Sequence, residues 1–501
     1  MAPPLLLAVD VGTQSVRVGL VDPAGRLEAV ASRPHEQTVP QPGWTEQDPE
    51  AWWAGVRSAI GEVLGAVPGA AGRLAAIGCC GQMHGPVPVA ADGRCLTEAV
   101  QLWNCKRAAE GVAAFAARPD AAALAARAAN PPSPAWVGFK AAWMKRHQPA
   151  VYDAARWLLV PKDFVNFRLT GEAATDFSEA SGSFLLDAAG RTYDPALAAA
   201  LGVDLGKLAA PVRSDAVIGG VTRAAAAATG LPAGLPVVAG GGDFLVSLLG
   251  SGVVGPGQGS DITGTSNLLS LNAPAPITAP EAMNLAGVGS DWVPFTIVDA
   301  GGDSLAWARR AFADPATPYA ALSELAGAVE PGAEGLLFLP FLGGERAFGR
   351  AHVRAELKGL SARHGKGHLV RAVMEGVCLA SREAFGPLRA AAPPLTRRVA
   401  SGGGARSPVW VQIKADVFGL PVAVPEATEA GLIGCAALAA VAAGLHASQA
   451  AAAAAMVRFD RTVEPRPEAV ALYDRLAERF ADAHMELIRQ GGRAAGATDG
   501  E

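Results

Sequence analysis

Residues 5–25 read LLLAVDVGTQSVRVGLVDPAG, and this stretch decides how the chain begins to fold. An apolar run surrounds Asp10, a turn follows at Gly12-Thr13, and a second alternating run ends at the turn of residues 22–25. Alternating apolar residues between glycine turns are typical of paired strands. We therefore predict a strand, a tight turn and a second strand here.

A second stretch, residues 259–271, repeats this pattern half a chain later with the turn Gly264-Thr265-Ser266. Two similar hairpins indicate two related α/β halves that face one another. The remaining apolar runs predict further strands at 74–80, 237–239 and 335–340, and a strand with its glycine loop at 399–406. Helical spacing predicts helices at 50–63, 108–129, 135–146, 196–208, 368–385, 408–418 and 429–445.

Composition limits the function classes that this chain fits. Of 501 residues, 42 are Lys or Arg and 47 are Asp or Glu, giving a net charge of −5, and 50% are hydrophobic. These values exclude a disordered chain and give no basic surface for nucleic acid. Six cysteines without CxxC spacing indicate reduced thiols. The apolar residues 430–445 are too few for the ~20 that a bilayer requires. We predict a soluble, cytoplasmic protein with a small polar substrate and neither a nucleic-acid nor a membrane partner.

The two glycine turns suit a metal-bound polyphosphate. Asp10 ends a buried strand, and the next residues offer backbone amides and the Thr13 hydroxyl to phosphate oxygens, while the carboxylate holds Mg²⁺ through water. The turn at residues 264–266 would hold the phosphate tail from the other side. An ordinary hairpin with a turn-stabilising Asp remains the alternative for each turn.

Further candidate residues follow other apparent strands. Asp243 ends the run Gly240-Gly-Gly-Asp and fits either a general base for a substrate hydroxyl or a helix N-cap. The triple glycine at 402–404 fits either a flat ring lying against the backbone or a plain strand-to-helix connection. Met83-His84 and Trp103 offer polar groups and an aromatic wall to a polyhydroxylated ligand, although a lone His or Trp is more often structural.

Taken in order, these segments resemble the FGGY family of carbohydrate kinases, and within it the xylulokinase group. The other matching segments are residues 44–49, 102–104, 161–163, 175–178, 339–340 with 344–346, and 402–407. The resemblance implies two actin-like (ribonuclease H-like, hexokinase and chaperone-ATPase type) α/β domains around a central cleft. Residues 1–250 would bind the sugar, and residues 251–501 would bind ATP.

The resemblance also implies roles for individual residues. Asp243 becomes the catalytic base, and Asp10 becomes the carboxylate associated with Mg²⁺ through water. The implied sugar pocket consists of Met83, His84, Trp103 and Asp243. The implied nucleotide-binding residues are Gly12 and Thr13 in the first loop, Gly264, Thr265 and Ser266 in the second, and Gly402, Gly403, Gly404 and Ser407 in the third.

The implied activity is transfer of the ATP γ-phosphate to a primary hydroxyl of a ketopentose, first of all D-xylulose, giving D-xylulose 5-phosphate. Phe244 stands where the xylulokinase pattern usually has Asn, so D-ribulose, a pentitol, a tetritol or glycerol are alternative acceptors. A non-catalytic sugar- or nucleotide-binding relative is disfavoured because Asp10 and Asp243 are both present. The family often forms dimers, which suggests a homodimer.

Overall fold

The computed structural model describes residues 3–345, 350 and 352–498, with side chains described as far as residue 490. Arg346, which belongs to one of the quoted motifs, lies outside the described residues. The helices are Pro49–Ala66, Ala109–Ala116, Ala121–Ala128, Val137–His147, Pro149–Ala154, Pro161–Thr170, Phe177–Ser181, Pro195–Leu201, Arg223–Thr229, Asp243–Gly250, Gly302–Phe312, Tyr319–Gly327, Lys366–Ala391, Pro408–Phe418, Ala430–Ala442, Gln449–Met456 and Pro467–Thr498.

The first large sheet contains the predicted N-terminal hairpin. Leu5–Val11 pairs antiparallel with Ser15–Val21 and parallel with Leu74–Gly81. In spatial order its strands are Val217–Gly220, Pro236–Val238, Leu74–Gly81, Leu5–Val11, Ser15–Val21 and Leu27–Pro34, and Gly241–Gly242 also pairs with Leu74–Gly81. The first predicted hairpin is therefore confirmed.

The second large sheet is built around the second predicted hairpin. Gln258–Thr263 pairs antiparallel with Asn267–Leu271 and parallel with Arg397–Gly402. In spatial order its strands are Met283–Ala286, Trp292–Val298, Asn267–Leu271, Gln258–Thr263, Arg397–Gly402, Val422–Pro425 and Phe459–Val463. The same sequence of antiparallel and parallel pairings runs through both sheets, with Met283–Ala286 as an added edge strand. The internal repeat is therefore structural as well as sequential.

Short strands occur in the segments that connect the strands of each large sheet. The short strands are Glu46–Gln47, Val87–Val89, Val100–Gln101, Trp157–Leu159, Thr175–Asp176, Leu186–Asp187, Thr192–Tyr193, Pro211–Val212, Leu337–Leu339 and Glu356–Lys358. The predicted helix at 408–418 is confirmed to the residue, while the stretches 108–129 and 196–208 each contain a break. In the second of these, Gly202 in the left-handed region ends the helix Pro195–Leu201, as glycine commonly does.

Two helices between the sheets touch through glycine. An added Cβ on Gly250 would lie 1.9 Å from the carbonyl oxygen of Ala430, and one on Gly434 would lie 2.0 Å from that of Val246. These contacts bring Asp243–Gly250 against Ala430–Ala442. Ala430–Ala442 also packs on the first sheet, where a Cβ on Gly78 would meet its backbone. The helix Ala430–Ala442, from late in the chain, thus packs against the sheet that contains the N-terminal hairpin.

Two predictions from composition also have structural outcomes. All six cysteines are free thiols. The apolar stretch within the helix predicted at 429–445 forms Ala430–Ala442, which is almost wholly buried. In the described part of the chain, none of the helices has both the length and the apolar character that crossing a membrane requires.

Candidate active site

Asp10 lies one residue before the end of Leu5–Val11 and is 7% exposed. Its Oδ1 has no hydrogen-bond partner among the described residues, and its Oδ2 lies 3.8 Å from the Arg17 guanidinium. Burial raises the pKa of Asp10, and the charge of Arg17 opposes that rise. The carboxylate does not brace the turn that follows it, so the turn-stabilising alternative is not what the structure shows.

The turn at Gly12 and Thr13 is held instead by residues from other segments. His35 Nε2 lies 2.9 Å from the Gly12 carbonyl oxygen, and Gln47 Nε2 donates to the Thr13 carbonyl oxygen at 2.6 Å. Gln47 Oε1 in turn accepts from Trp52 and Gln82. Residues 44–49 matched the family pattern without a predicted role. In the structure, Gln47 of this motif fixes the first loop.

Asp243 follows Gly241–Gly242 and is the first residue of the helix Asp243–Gly250. Its Oδ1 accepts from the Phe244 amide at 2.7 Å, and Gly242 takes the N-cap position without a side-chain cap. Asp243 is therefore not the helix cap. Burial, then the charge of Asp10, raises the pKa of Asp243 to about 7.

The two carboxylates lie at the same edge of the first sheet. Asp10 is level with Cys80 on one side of the strand Leu74–Gly81, and Gly241 is level with Cys80 on the other side. The strand Leu74–Gly81 therefore separates Asp10 from the strand that leads to Asp243, and adjacent strands are about 4.8 Å apart. At this short separation the charge of Asp10 raises the pKa of Asp243.

A buried polar cluster fixes the glycine loop before Asp243. The Gly242 amide donates to Ser178 Oγ at 2.9 Å, and Ser178 Oγ donates to Asp176 Oδ2 at 2.6 Å. Lys162 Nζ lies 3.1 Å from Asp176 Oδ1 and donates to the Ala239 carbonyl oxygen. The motifs at 161–163 and 175–178 therefore hold the loop, a role that their sequences do not reveal because the contacts span about 60 to 80 residues.

The predicted sugar-pocket residues surround this loop. Met83 is buried against Gly242, where an added Cβ would lie 2.5 Å from its sulfur. His84 adopts a φ of 71° and its Nδ1 lies 3.1 Å from the Gly182 carbonyl oxygen, while Lys140 Nζ donates to the His84 carbonyl oxygen. Burial lowers the pKa of His84 to about 3. The imidazole is therefore neutral, its Nδ1–H donates to Gly182, and its Nε2 is an acceptor.

Trp103 connects the predicted sugar residues to the first loop. It is 43% exposed, and its Nε1 donates to Thr13 Oγ1 at 3.2 Å. An exposed Trp with a polar contact to a loop is not a core residue, so the structural alternative for Trp103 is wrong.

The second and third glycine loops share a cavity of about 760 Å³ in the second half of the chain. Its lining includes Gly264, Thr265, Gly403, Gly404 and Ser407. This volume lies within the 300–1,000 Å³ typical of ligand pockets. Two predicted residues, Ser266 and Gly402, lie in the adjoining backbone and not in the lining.

Backbone segments around this cavity lie so close together that some positions require glycine. Gly402 has a φ of 77°, and an added Cβ would lie 2.5 Å from the Thr263 carbonyl oxygen. Ser407 Oγ caps the helix Pro408–Phe418 by accepting from the Trp410 amide, and it lies 2.6 Å from Ser323 Oγ. The exposed ring of Tyr319 also lines the cavity, and no motif pointed to this lone residue.

Phe244 is partly buried at the side of the apolar core and packs against Phe295 from the second sheet, with ring centroids 5.4 Å apart. The side chain after Asp243 therefore joins the two halves of the molecule.

The site and fold together define a class of protein. The family models of the FGGY carbohydrate kinases match residues 5–250 (N-terminal domain) and 260–443 (C-terminal domain). The chain belongs to the FGGY family of carbohydrate kinases, and the predicted fold class and sugar-kinase activity are confirmed. Carbohydrate kinases use ATP as phosphate donor, so that part of the cofactor prediction is confirmed as well.

Individual relatives cover 83% or more of the chain. A xylulose kinase of Escherichia coli K12 is 32% identical over 422 residues, 83% of this chain and 85% of the relative. An autoinducer-2 kinase of Enterobacter sp. strain 638 is 30% identical and covers 96% of this chain and 94% of its own. The crystal structure of a xylulose kinase from Rhodospirillum rubrum superposes with a TM-score of 0.91, at 30% identity, over 97% of this chain and 100% of that one.

Proposed function

We propose that this chain transfers the γ-phosphate of ATP to a terminal primary hydroxyl of a ketopentose, with D-xylulose as the first candidate and D-xylulose 5-phosphate as the product. The similarity to a xylulose kinase of known sequence and to one of known structure supports this acceptor. The observation that carries the phosphotransfer chemistry is the pair of acids, Asp10 and Asp243, at one edge of the first sheet.

Asp243 is the base in this proposal. Its carboxylate takes the proton of the acceptor hydroxyl while that oxygen forms a bond to the γ-phosphorus, and the bond from the γ-phosphorus to the bridging oxygen breaks to release ADP. A pKa of about 7 suits this exchange, because a base works best when its pKa is near the working pH.

Mg²⁺ fits the surroundings of Asp10. Its Oδ1 is buried without a partner, and Gly431 leaves a space beside Oδ2 that a Cβ would fill at 3.1 Å. Mg²⁺ commonly binds one or two carboxylates together with waters and substrate phosphates, so Asp10 alone is a sufficient protein ligand. When bound, the ion would neutralise charge on the transferring phosphoryl group.

We propose that ATP uses the cavity in the second half of the chain. The Gly264 and Thr265 turn would bind its phosphates together with Gly12 and Thr13, and the glycines at 403–404 would lie against its adenosine. In this division, residues 1–250 form the sugar-binding domain and residues 251–501 the ATP-binding domain. Closure of the two domains would exclude water from the reaction.

A panel of acceptors tests the proposal. ADP release is measured with D-xylulose, D-ribulose, ribitol, erythritol and glycerol, and we expect the highest kcat/KM with D-xylulose. A higher value for another acceptor would replace D-xylulose and keep the kinase chemistry. ATP binding without ADP release on any acceptor would favour a non-catalytic relative.

We also propose a homodimer and a cytoplasmic location, by analogy with the family. Light scattering after size-exclusion chromatography tests the first proposal, and microscopy of a fluorescent fusion in the source cell tests the second.

A further inference from the structure

Glu179 is a buried acid without a hydrogen bond. It lies in the short helix Phe177–Ser181 and is 2% exposed. Neither of its carboxyl oxygens has a hydrogen-bond partner among the described residues. Buried polar groups are nearly always hydrogen-bonded, so an orphaned pair of oxygens points to a group that is missing from the free protein.

The segment that carries Glu179 contacts the predicted sugar residues on both sides. Just before it, Ser178 Oγ accepts from the Gly242 amide, next to Asp243. Just after it, the Gly182 carbonyl oxygen accepts from His84, and an added Cβ on Gly182 would lie 2.6 Å from the His84 ring. The segment that carries Glu179 therefore bridges the loop before Asp243 and the His84 ring.

The nearby charges do not satisfy Glu179. The charge of Lys162 acts on Glu179, but its ammonium already faces Asp163, Asp176 and the Ala239 carbonyl oxygen. Lys162 donates to Asp163 and to the Ala239 carbonyl oxygen and forms an ion pair with Asp176, while no hydrogen bond joins it to Glu179. Burial, reinforced by the surrounding acids including Asp243, raises the pKa of Glu179 well above its usual value. The raised pKa favours the protonated form of Glu179, and both carboxyl oxygens remain available for a hydrogen bond.

We propose that Glu179 is a further binding residue for the acceptor sugar, forming a hydrogen bond with a sugar hydroxyl between His84 and Asp243. The inference rests on the proposed sugar-kinase function of this site. A polyhydroxylated acceptor has hydroxyl groups that can pair with the free carboxyl oxygens of Glu179. A site that forms a hydrogen bond with a ligand hydroxyl discriminates against ligands without that hydroxyl.

Two variants separate binding from structure. Glu179→Gln keeps the shape and a donor, and Glu179→Met keeps the size but removes all hydrogen bonding. We expect Glu179→Met to raise the sugar KM and the calorimetric sugar Kd about tenfold, and Glu179→Gln to stay within about threefold of wild type. The ATP KM should not change. The Glu179→Met unfolding temperature should not fall, because no internal hydrogen bond is lost.

Glu375 is the matched control. It is equally buried, but it accepts from Arg371, Tyr473 and the Gly332 amide. Glu375→Met should therefore lower the unfolding temperature. An unchanged sugar Kd in Glu179→Met, or equal weakening of sugar and ATP with a lower unfolding temperature, would overturn the inference. Sugar binding by the wild type without transfer would instead contradict the proposed function and leave the Glu179 test intact.

Discussion

Asp243 sets the pH dependence that we expect for the reaction. Burial and the nearby Asp10 raise its pKa to about 7, and the group must be ionised to accept a proton. We predict that kcat/KM rises with pH up to about pH 7 and is level above it. Initial rates between pH 5.5 and 8.5, with coupling enzymes in excess, measure this, and a profile that is flat down to pH 5.5 would contradict the assignment of the base.

Replacing the base should separate ATP binding from transfer. Asp243→Asn is expected to bind ATP with wild-type affinity and to lose transfer by about 10²- to 10⁴-fold, because a general base supplies about that factor. The control is Asp92→Asn at an exposed turn, which should retain full activity. Wild-type turnover in Asp243→Asn would remove Asp243 from the mechanism.

The same variant has an expected effect on stability. Because the folded-state pKa of Asp243 lies above the ordinary 3.8, the folded protein holds a proton that the unfolded chain releases as the pH rises from 3.8 to about 7. The protonated Asp243 side chain therefore stabilises the folded protein at low pH, and this stabilisation is lost as the pH rises from 3.8 to about 7. Asp243→Asn should unfold at a higher temperature than wild type at pH 8, and the difference should narrow toward pH 4.

At the scale of an element, the first glycine turn depends on Gln47. Gln47→Leu removes the bond to Thr13 and leaves Gln82 and Trp52 without their shared acceptor. We expect a rise in the ATP KM and a loss of about 1–3 kcal/mol in the free energy of unfolding, the usual cost of unpaired buried polar groups. Urea denaturation and ATP titration measure both, with the exposed Gln41→Leu as control. An unchanged ATP KM would mean that the turn does not bind nucleotide.

The contact between the two central helices gives a second prediction at this scale. Gly250→Ala forces a methyl group onto the Ala430 carbonyl oxygen, so we expect a loss of about 1–3 kcal/mol or more in the free energy of unfolding. Gly61→Ala, in an exposed helix position with no atom nearby, should instead gain about 0.5–1 kcal/mol. Denaturant titration measures the free energy of unfolding of both variants. Equal stability of the two variants would contradict the close contact between the helices.

At the scale of the whole molecule, Phe244 connects the halves. Phe244→Asn restores the amide of the xylulokinase pattern but removes the aromatic contact with Phe295. We expect it to cost about 2–4 kcal/mol in the free energy of unfolding and to leave the D-xylulose KM no lower than in wild type. Phe244→Leu, which keeps an apolar side chain, should lose less. An Asn variant with full stability and a lower sugar KM would show that position 244 faces the sugar.

The repeat of hairpin and sheet was predictable because it depends on local patterns. Alternation over residues 5–21 and 259–271 fixes which side chains face inward, and a Ser cap with Pro408 marks the start of a helix. The positions of the candidate acids were predictable as well, because each lies next to the end of a strand and close to glycine. Gln47 and Glu179 were not, because their importance comes from neighbours that are distant in sequence.

The sequence by itself determined the two α/β halves, their glycine turns and the family, because periodicity, turn residues and motif order are carried along the chain. Only the tertiary structure decided that Asp10 and Asp243 share a sheet edge, that Phe244 packs between the halves, and that Glu179 is left without a partner. These facts depend on strand register, burial and the position of nearby donors, which arise only when distant segments come together.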